Sequence, residues 1–161
     1  MSNISTRYLG LELSSPVIVG SSNFTSKVES IAEAEAAGAG AVVLKSLFEE
    51  QIVSQAHSMS VRESYPEADD YLQYYTRTNS VDSYLELVAG ARKRVKIPVI
   101  ASINCFSPKG WTDFAVEIEN AGASALEVNI FFMPVDRHQT GAASEAVYFN
   151  IVDNLKKKLK I

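Results

Sequence analysis

The feature that most constrains this chain is an internal repeat. The segment EAEAAGAGAVVLKS at 33–46 aligns with EIENAGASALEVNI at 117–130, a constant offset of 84 residues (117 − 33). A second pair, PVIV at 16–19 and PVIA at 98–101, lies ahead of the first at an offset of 82 (98 − 16). Self-similarity at a nearly fixed spacing predicts a fold in which one βαβα module occurs twice.

Each copy of the repeat predicts a helix end followed by a parallel strand. Gly38 and Gly122 stand where the helices stop, because glycine adopts the left-handed backbone that residues with a Cβ resist. The apolar segments 41–44 and 125–128 that follow are typical of strands covered by helices on a parallel sheet. Each strand leads into polar residues, and α/β folds bind their ligands at the carboxyl ends of parallel strands.

The other elements follow from local patterns. A short hairpin is predicted at 8–13, and strands at 16–19, 41–44, 98–103 and 125–130. The predicted helices begin near Ser26 with a Ser26–Glu29 capping box, span 80–96, run from a Ser107 cap and Pro108 to Gly122, and span 144–158. Residues 47–78 are expected to form a long loop that acts as a lid or binding segment.

Four βα units with right-handed crossovers place their strands in sequence order. A closed (β/α)8 TIM barrel has eight strands and typically about 250 residues, so these 161 residues are expected to supply half of one. We therefore expect one α/β domain over 1–161, the N-terminal half of a TIM-barrel enzyme, with Lys160-Ile161 where strand five begins. If the protein ends at Ile161, exposed edges on the first and last strands are expected to favour a homo-oligomer or pairing with a second half-barrel.

Composition narrows the class of protein. The formal net charge is −4, and no basic stripe with interleaved aromatic residues occurs, so we expect no nucleic-acid partner. Cys105 is the only cysteine, which excludes an intrachain disulfide. Residues 1–7 lack the apolar core of a signal peptide, and no apolar run approaches a membrane span. The sequence therefore predicts a cytoplasmic protein with no membrane partner, and the polar strand ends are where a small-molecule substrate is expected to bind.

Three segments carry a resemblance to a known family: LGLELSSPVIVGSS at 9–22, AGAGAVVLKS at 37–46 and ASALEVNI at 123–130. In their order and spacing they resemble the FMN-dependent dihydroorotate dehydrogenases, and more closely the soluble class 1 members. The resemblance extends over essentially the whole chain. It implies an FMN-dependent oxidoreductase that converts dihydroorotate to orotate in pyrimidine biosynthesis.

The resemblance also implies site residues. Its flavin contacts fall on Gly20, Ser21, Ser22, Lys45, Ser46, Asn104 and Asn129. Lys45 and Asn129 are further implied to act in catalysis, Lys45 near the flavin pyrimidine edge and the substrate carboxylate, and Asn129 between flavin and substrate. A lysine cation and amide donors suit this role because they stabilise negative charge on substrate and reduced flavin.

The catalytic base is left unassigned. After the strand-four asparagine the soluble enzymes have a motif close to Asn-x-Ser-Cys-Pro-Asn, with cysteine as the base, whereas Ile-Phe-Phe-Met-Pro at 130–134 follows Asn129 here. Cys105 and His138 are the remaining candidates. His57 and His138 lack the spacing of metal ligands, so no metal site is expected.

Two other functions stay open at the level of sequence. Lys45 is also compatible with a non-redox TIM-barrel lyase that forms a Schiff base, or with an ordinary strand-end lysine reaching water. The chain is also compatible with an inactive half-barrel that serves as a folding or assembly unit.

Overall fold

The computed structural model describes residues 4–50, 66–105, 108–131, 133 and 135–161. The strands are β1 Thr6–Tyr8, β2 Leu11–Leu13, β3 Ile18–Val19, β4 Ala41–Val43, β5 Leu47–Phe48, β6 Val99–Asn104 and β7 Ala125–Val128. The helices are α1 Val28–Ala36, α2 Pro66–Arg94, α3 Pro108–Asn120 and α4 Gly141–Lys158, and a 3₁₀ turn spans Phe24–Ser26.

The main sheet is parallel, and its strands lie in sequence order. β3 pairs with β4, and β6 pairs with β4 and β5 along one edge and with β7 along the other. Ile100 pairs with β4 on one side and β7 on the other, and Ile103 pairs with β5 on one side and β7 on the other. Since β7 occupies the same edge of β6 in both cases, β4 and β5 must share the opposite edge. The predicted α/β fold class is confirmed. If β4 and β5 are counted as one interrupted strand, the sheet has four parallel strands in sequence order, which is the arrangement of consecutive units in a (β/α)8 barrel.

The repeated turn forms twice with the same backbone. Gly38 and Gly122 each have φ of +96°, the left-handed conformation that the sequence predicts. In each copy the next N–H donates to the carbonyl five residues earlier, at 3.0 Å for Ala39 and 3.3 Å for Ala123. This is the longer bond of a Schellman motif, which ends both helices in the same way and starts the next strand in the same direction.

The predicted hairpin is confirmed and closes one end of the sheet. β1 pairs antiparallel with β2 through a two-residue turn at Leu9 and Gly10, both with positive φ, as in the type I′ turns that suit hairpins. Leu13 at the end of β2 is 2% exposed and packs on the sheet face opposite the helices. Leu13 clusters with Ala41, Ile100 and Ala125, which lie at or next to the first residues of their strands, so the hairpin packs at the amino ends of the strands.

Two apolar layers cover the two faces of the sheet. The layer on the helical side contains residues of all four helices, such as Ile31, Val88, Phe114 and Leu155. The layer on the opposite face contains strand residues and Leu13 only, namely Leu13, Ala41, Val43, Ile100 and Ala125, with Leu11 and Ile18 at its margin. Alternate residues of each strand thus point away from the helices, and these residues line the candidate site.

The prediction of a loop over residues 47–78 is wrong at both ends of this segment. Residues 47–48 form β5, and α2 begins at Pro66, 14 residues before the predicted start at 80, while residues 51–65 lie outside the described part. Proline suits the first position of a helix, and acidic residues such as Glu67 and Asp69 suit its first turn. These features mark a helix start that the tyrosine-rich composition of the segment obscured.

Two predicted helix starts also differ from the structure. The Ser26–Glu29 capping box does not form, because Ser26 Oγ donates to the carbonyl of Asn23 at 2.7 Å and α1 starts after Lys27 without a side-chain cap. Helix α4 starts at Gly141 rather than at 144, and Thr140 Oγ1 caps it by accepting the N–H of Ala143 at 3.2 Å. Helix α3 begins at Pro108 as predicted, and the expected cap Ser107 lies outside the described residues.

Candidate functional site

A bulge in the sheet presents Lys45 at the carboxyl ends of the strands. Val43 pairs with Ile100 and Leu47 pairs with Ile103, so four steps along β4 and β5 face three steps along β6. One extra residue is therefore inserted in the segment 44–46, which is rare between parallel strands. Bulges occur at barrel rims and beside active sites, where they redirect a side chain. Here the exposed side chain is that of Lys45.

Lys45 is oriented by a residue from the preceding unit. Its Nζ donates to Asn23 Oδ1 at 2.6 Å, and its backbone N–H donates to the carbonyl of Thr25 at 3.4 Å. Thr25 is fully buried and also ties down Ser22, accepting its N–H and donating to its carbonyl at 3.1 Å each. The loop after β3 is thus fixed by its own turn and positions the lysine of the neighbouring strand.

Three serine hydroxyls and one carboxylate form a continuous chain across the sheet. Ser21 Oγ and Ser46 Oγ are 3.0 Å apart, and Ser46 Oγ and Ser102 Oγ are 2.7 Å apart. Ser102 Oγ donates to Glu127 Oε1 at 2.7 Å, and Ser21 Oγ also accepts the N–H of Ser46 at 3.0 Å. We call these four residues the serine chain. Each member comes from a different strand or the loop after it, so the chain joins all four βα units.

Tyr84 of α2 supports the chain from the helical side. Its hydroxyl accepts the Ser102 N–H at 2.8 Å and donates to the Ser102 carbonyl at 3.0 Å, opposite the bulge. Burial raises the pKa of Tyr84 well above its ordinary 10.0; the hydrogen bond with Ser102 opposes this, and the Glu127 charge adds to it. The hydroxyl therefore stays protonated and takes the place of backbone partners that the bulge removes.

The structure brings together some of the residues predicted from sequence. Ser21, Lys45 and Ser46 meet around the bulge, with Gly20 and Ser22 in the same loop as Ser21. Asn104 ends β6 and Asn129 follows β7, where its N–H donates to the carbonyl of Ile103 at 2.9 Å. By strand alternation both asparagines share the face of Ser102 and Glu127. Their predicted roles as ligand contacts stay predictions.

The two candidate bases lie in other surroundings. Cys105 is 7% exposed and packs within the apolar layer on the helical side of the sheet. His138 is exposed in the turn before α4, where its N–H donates to Asp136 Oδ1 at 2.9 Å. Neither belongs to the serine chain, and the base stays unassigned.

Four residues of this region were not predicted from the sequence: Asn23, Tyr84, Ser102 and Glu127. Two of these had a usable signal, because Ser102 and Glu127 lie two positions before Asn104 and Asn129 and side chains two apart in a strand share a face. A polar residue within a predicted buried strand is itself informative. Asn23 and Tyr84 had no comparable signal, since their roles depend on the bulge.

A surface groove lies elsewhere on the molecule. It has a volume of about 460 Å³, lies between α1 and the end of α2, and is lined by Val28, Glu29, Ala32, Glu33, Ala36 and Arg94. This groove is on the helical side, remote from the serine chain. Within the described ranges, no cluster of three histidine, cysteine or acidic residues is arranged to hold a metal ion. Among the same residues, no helix is both long and apolar enough to cross a bilayer.

The chain is similar in sequence to a subunit of a known enzyme. No protein-family model matches the chain. The chain is 27% identical over 169 residues to the dihydroorotate dehydrogenase B (NAD(+)) catalytic subunit of Thermoplasma volcanium. The match covers all of this chain and 52% of that protein, so the chain spans about half the length of this curated relative.

Among solved structures, an IMP dehydrogenase/GMP reductase-like protein from Corynebacterium glutamicum is similar at 13% identity with a TM-score of 0.46. That match covers 91% of this chain and 40% of the other. At 27% identity, the sequence similarity to the dihydroorotate dehydrogenase subunit is distant.

Proposed function

We propose that this chain is the N-terminal part of a barrel oxidoreductase of the dihydroorotate dehydrogenase kind, which binds FMN at the carboxyl ends of its parallel strands. The observation that carries the proposal is the meeting of Ser21, Lys45 and Ser46 around the bulge. Ser21 lies 25 residues before Ser46 in the sequence. The family resemblance assigns Ser21, Lys45 and Ser46 to the flavin. The 27% identity to a dihydroorotate dehydrogenase subunit over the whole chain supports the same kind of enzyme.

The residues at the strand ends fit a flat heterocycle. Within the described part of the chain, no atom other than those of Gly20 and its two chain neighbours lies within 4 Å of the position that a Cβ would take at Gly20, so the backbone there is open to a planar group. Lys45 supplies a cation, and the exposed side chains of Ser21 and Asn129 supply polar groups around the same edge. A planar cofactor with a polar rim needs this combination of open backbone and edge partners.

In the proposed enzyme, the residues at the strand ends would hold FMN, which would supply a hydride acceptor for the substrate. Lys45 would stabilise the negative charge that develops on substrate and cofactor, with Asn23 restricting its side chain so that little reorganisation is needed. Asn129 would orient the substrate from the neighbouring strand end. Dihydroorotate is the proposed substrate, and its proton acceptor is the residue still to be identified.

A lyase that uses Lys45 as a Schiff base gains no support from this geometry. A lysine that forms a Schiff base is typically desolvated in an apolar pocket or placed beside another cation. Lys45 is instead exposed and donates to an amide oxygen.

The test is a visible absorption and fluorescence titration of the protein with FMN, followed by anaerobic addition of dihydroorotate. Bound flavin that loses its absorbance near 450 nm would support both cofactor and substrate. Flavin that binds and stays oxidised would remove dihydroorotate but keep the flavoprotein. Failure of FMN to bind the protein, tested with any continuation of the chain beyond Ile161, would overturn the oxidoreductase proposal.

A further inference from the structure

The serine chain has only one possible direction. A carboxylate accepts hydrogen bonds and donates none, so the proton between Ser102 and Glu127 belongs to Ser102. A serine has one hydroxyl proton, so the 2.7 Å contact of Ser46 with Ser102 uses the proton of Ser46. By the same reasoning, the 3.0 Å contact between Ser21 and Ser46 uses the proton of Ser21. The hydroxyls therefore all point toward Glu127.

This direction leaves the chain with acceptors only. Ser21 and Ser46 have spent their protons within the chain, and the backbone N–H of Ser46 is bonded to Ser21 Oγ. Each of these hydroxyls can therefore still accept a hydrogen bond from a ligand but cannot donate one. Glu127 is exposed and, as a carboxylate, adds further acceptor capacity. Ser102 is fully buried, so it transmits the direction without meeting a ligand.

We propose that Glu127 is a ligand-binding residue whose carboxylate fixes the serine chain as a row of acceptors, and that this row holds a neutral ligand edge bearing N–H or O–H donors. The inference deepens the proposed function and rests on it for the location of the ligand. An anionic edge such as a phosphate or carboxylate is disfavoured here because it would face lone pairs and a negative charge. The cation needed for such a group lies at Lys45.

Two sources supply donors of this kind. One is the imide N–H of a pyrimidine-like ring, and the other is the hydroxyls of a sugar alcohol chain. Uracil and ribitol serve as probes for the two sources, and 1,3-dimethyluracil serves as a control because it keeps the ring and lacks N–H donors.

The first measurement determines the direction of the chain in the protein without ligand. The Ser102 hydroxyl proton is shielded from solvent, so its nuclear Overhauser contacts are measurable by NMR. We expect contacts to the side-chain protons of Glu127. Contacts to the Ser46 side chain instead would show the opposite direction and overturn the proposal.

The second measurement follows the backbone amides of Ser21 and Ser46 during titration with each probe. We expect saturable shifts with uracil or ribitol, and binding of 1,3-dimethyluracil at least about fivefold weaker than uracil if the imide is the source. Glu127→Gln should lower the affinity for whichever donor probe binds by at least about fivefold, because a carboxamide no longer fixes the direction of the hydroxyls in the serine chain. Glu117→Gln, an exposed glutamate on α3, is the matched control and should leave binding unchanged.

The outcomes separate this inference from the proposed function. The inference would be overturned if neither uracil nor ribitol shifted the backbone amides of Ser21 and Ser46. It would also be overturned if wild type and Glu127→Gln bound the donor probe with equal affinity. FMN is titrated in parallel. If the protein bound a donor probe but not FMN, only the flavoprotein proposal would be rejected. If it bound FMN but neither donor probe, only the acceptor row would be rejected.

Discussion

Glu119 Oε1 accepts the backbone N–H of Lys160 at 2.7 Å, two residues after the end of α4. Glu35 Oε1 accepts the N–H of Lys96 at 2.7 Å, two residues after the end of α2, and also that of Ile97 at 3.1 Å. Both glutamates lie three residues before the glycine that ends the repeated turn. The repeat therefore includes a long-range contact: a carboxylate at the end of one helix holds the chain that leaves a later one.

Removing these carboxylates should destabilise the fold in proportion to the hydrogen bonds lost. Glu35→Ala leaves two backbone N–H groups without a protein partner, one of them partly buried, and should lower the free energy of unfolding by about 1–3 kcal/mol. Glu119→Ala loses one exposed bond and should cost about 0.5–1.5 kcal/mol. Urea denaturation measures both, with the exposed Glu33→Ala on α1 as a control. Equal losses in all three variants would contradict a specific role for these contacts.

The repeat made the sheet predictable because each copy carries its own structural signal within a short stretch of sequence. A glycine followed by small residues and an apolar run determines a helix end and a strand start, and Gly38 and Gly122 adopt the same φ of +96°. Helix α2 was less predictable. Its first half, from Pro66, carries acidic and tyrosine-rich sequence without a clear apolar stripe, so periodicity gave little indication of it.

The site residues that were predicted from the sequence are those at or just after the end of a strand. Lys45 and Ser46 fall in this class, and resemblance to a family pointed to them. The bulge that presents them depends on a pairing register between β5 and β6, which follows from long-range packing. Ser102 and Glu127 belong to the serine chain for the same reason, so their link is a property of the folded sheet.

Tyr84→Phe should destabilise the protein because it removes the hydroxyl that bonds both the N–H and the carbonyl of Ser102. Both groups belong to a fully buried residue, so losing their partner should cost about 1–3 kcal/mol of unfolding free energy. Tyr148→Phe, on the exposed side of α4, is the matched control and should change stability little. A Tyr84→Phe variant as stable as wild type would show that the Ser102 backbone finds other partners.

Tyr84 should also give the protein a distinctive alkaline stability profile. Its folded pKa is raised above the ordinary 10.0, chiefly by burial. The stability from keeping this hydroxyl protonated is therefore fully present below about pH 10 and is lost as pH rises from there toward the folded pKa. Urea denaturation from pH 8 to pH 11 should show wild type losing stability faster than Tyr84→Phe above pH 10. Parallel profiles for the two proteins would contradict the raised pKa.

Lys45→Met should separate binding from stability. The side chain is exposed, and its contact with Asn23 lies at the surface, so the free energy of unfolding should change by less than about 1 kcal/mol. Affinity for FMN should fall at least about tenfold if the lysine cation contacts the cofactor edge. Lys93→Met, an exposed lysine near the end of α2, provides the control. Equal FMN affinity in both variants would remove Lys45 from the proposed site.

Gly20→Ala tests whether a planar ligand lies against the strand end. Among the described residues beyond its two chain neighbours, no atom lies within 4 Å of the added Cβ, so the free energy of unfolding should be nearly unchanged. A ligand packed on that backbone would meet the new methyl group, and FMN affinity should fall by about fivefold to a hundredfold. Gly141→Ala, equally unobstructed but at the start of α4, should alter neither property. At Gly40 the added Cβ would lie 1.9 Å from the carbonyl oxygen of Ser15, so Gly40→Ala should destabilise the fold itself. If Gly20→Ala binds FMN as wild type does, any flavin lies away from this strand end.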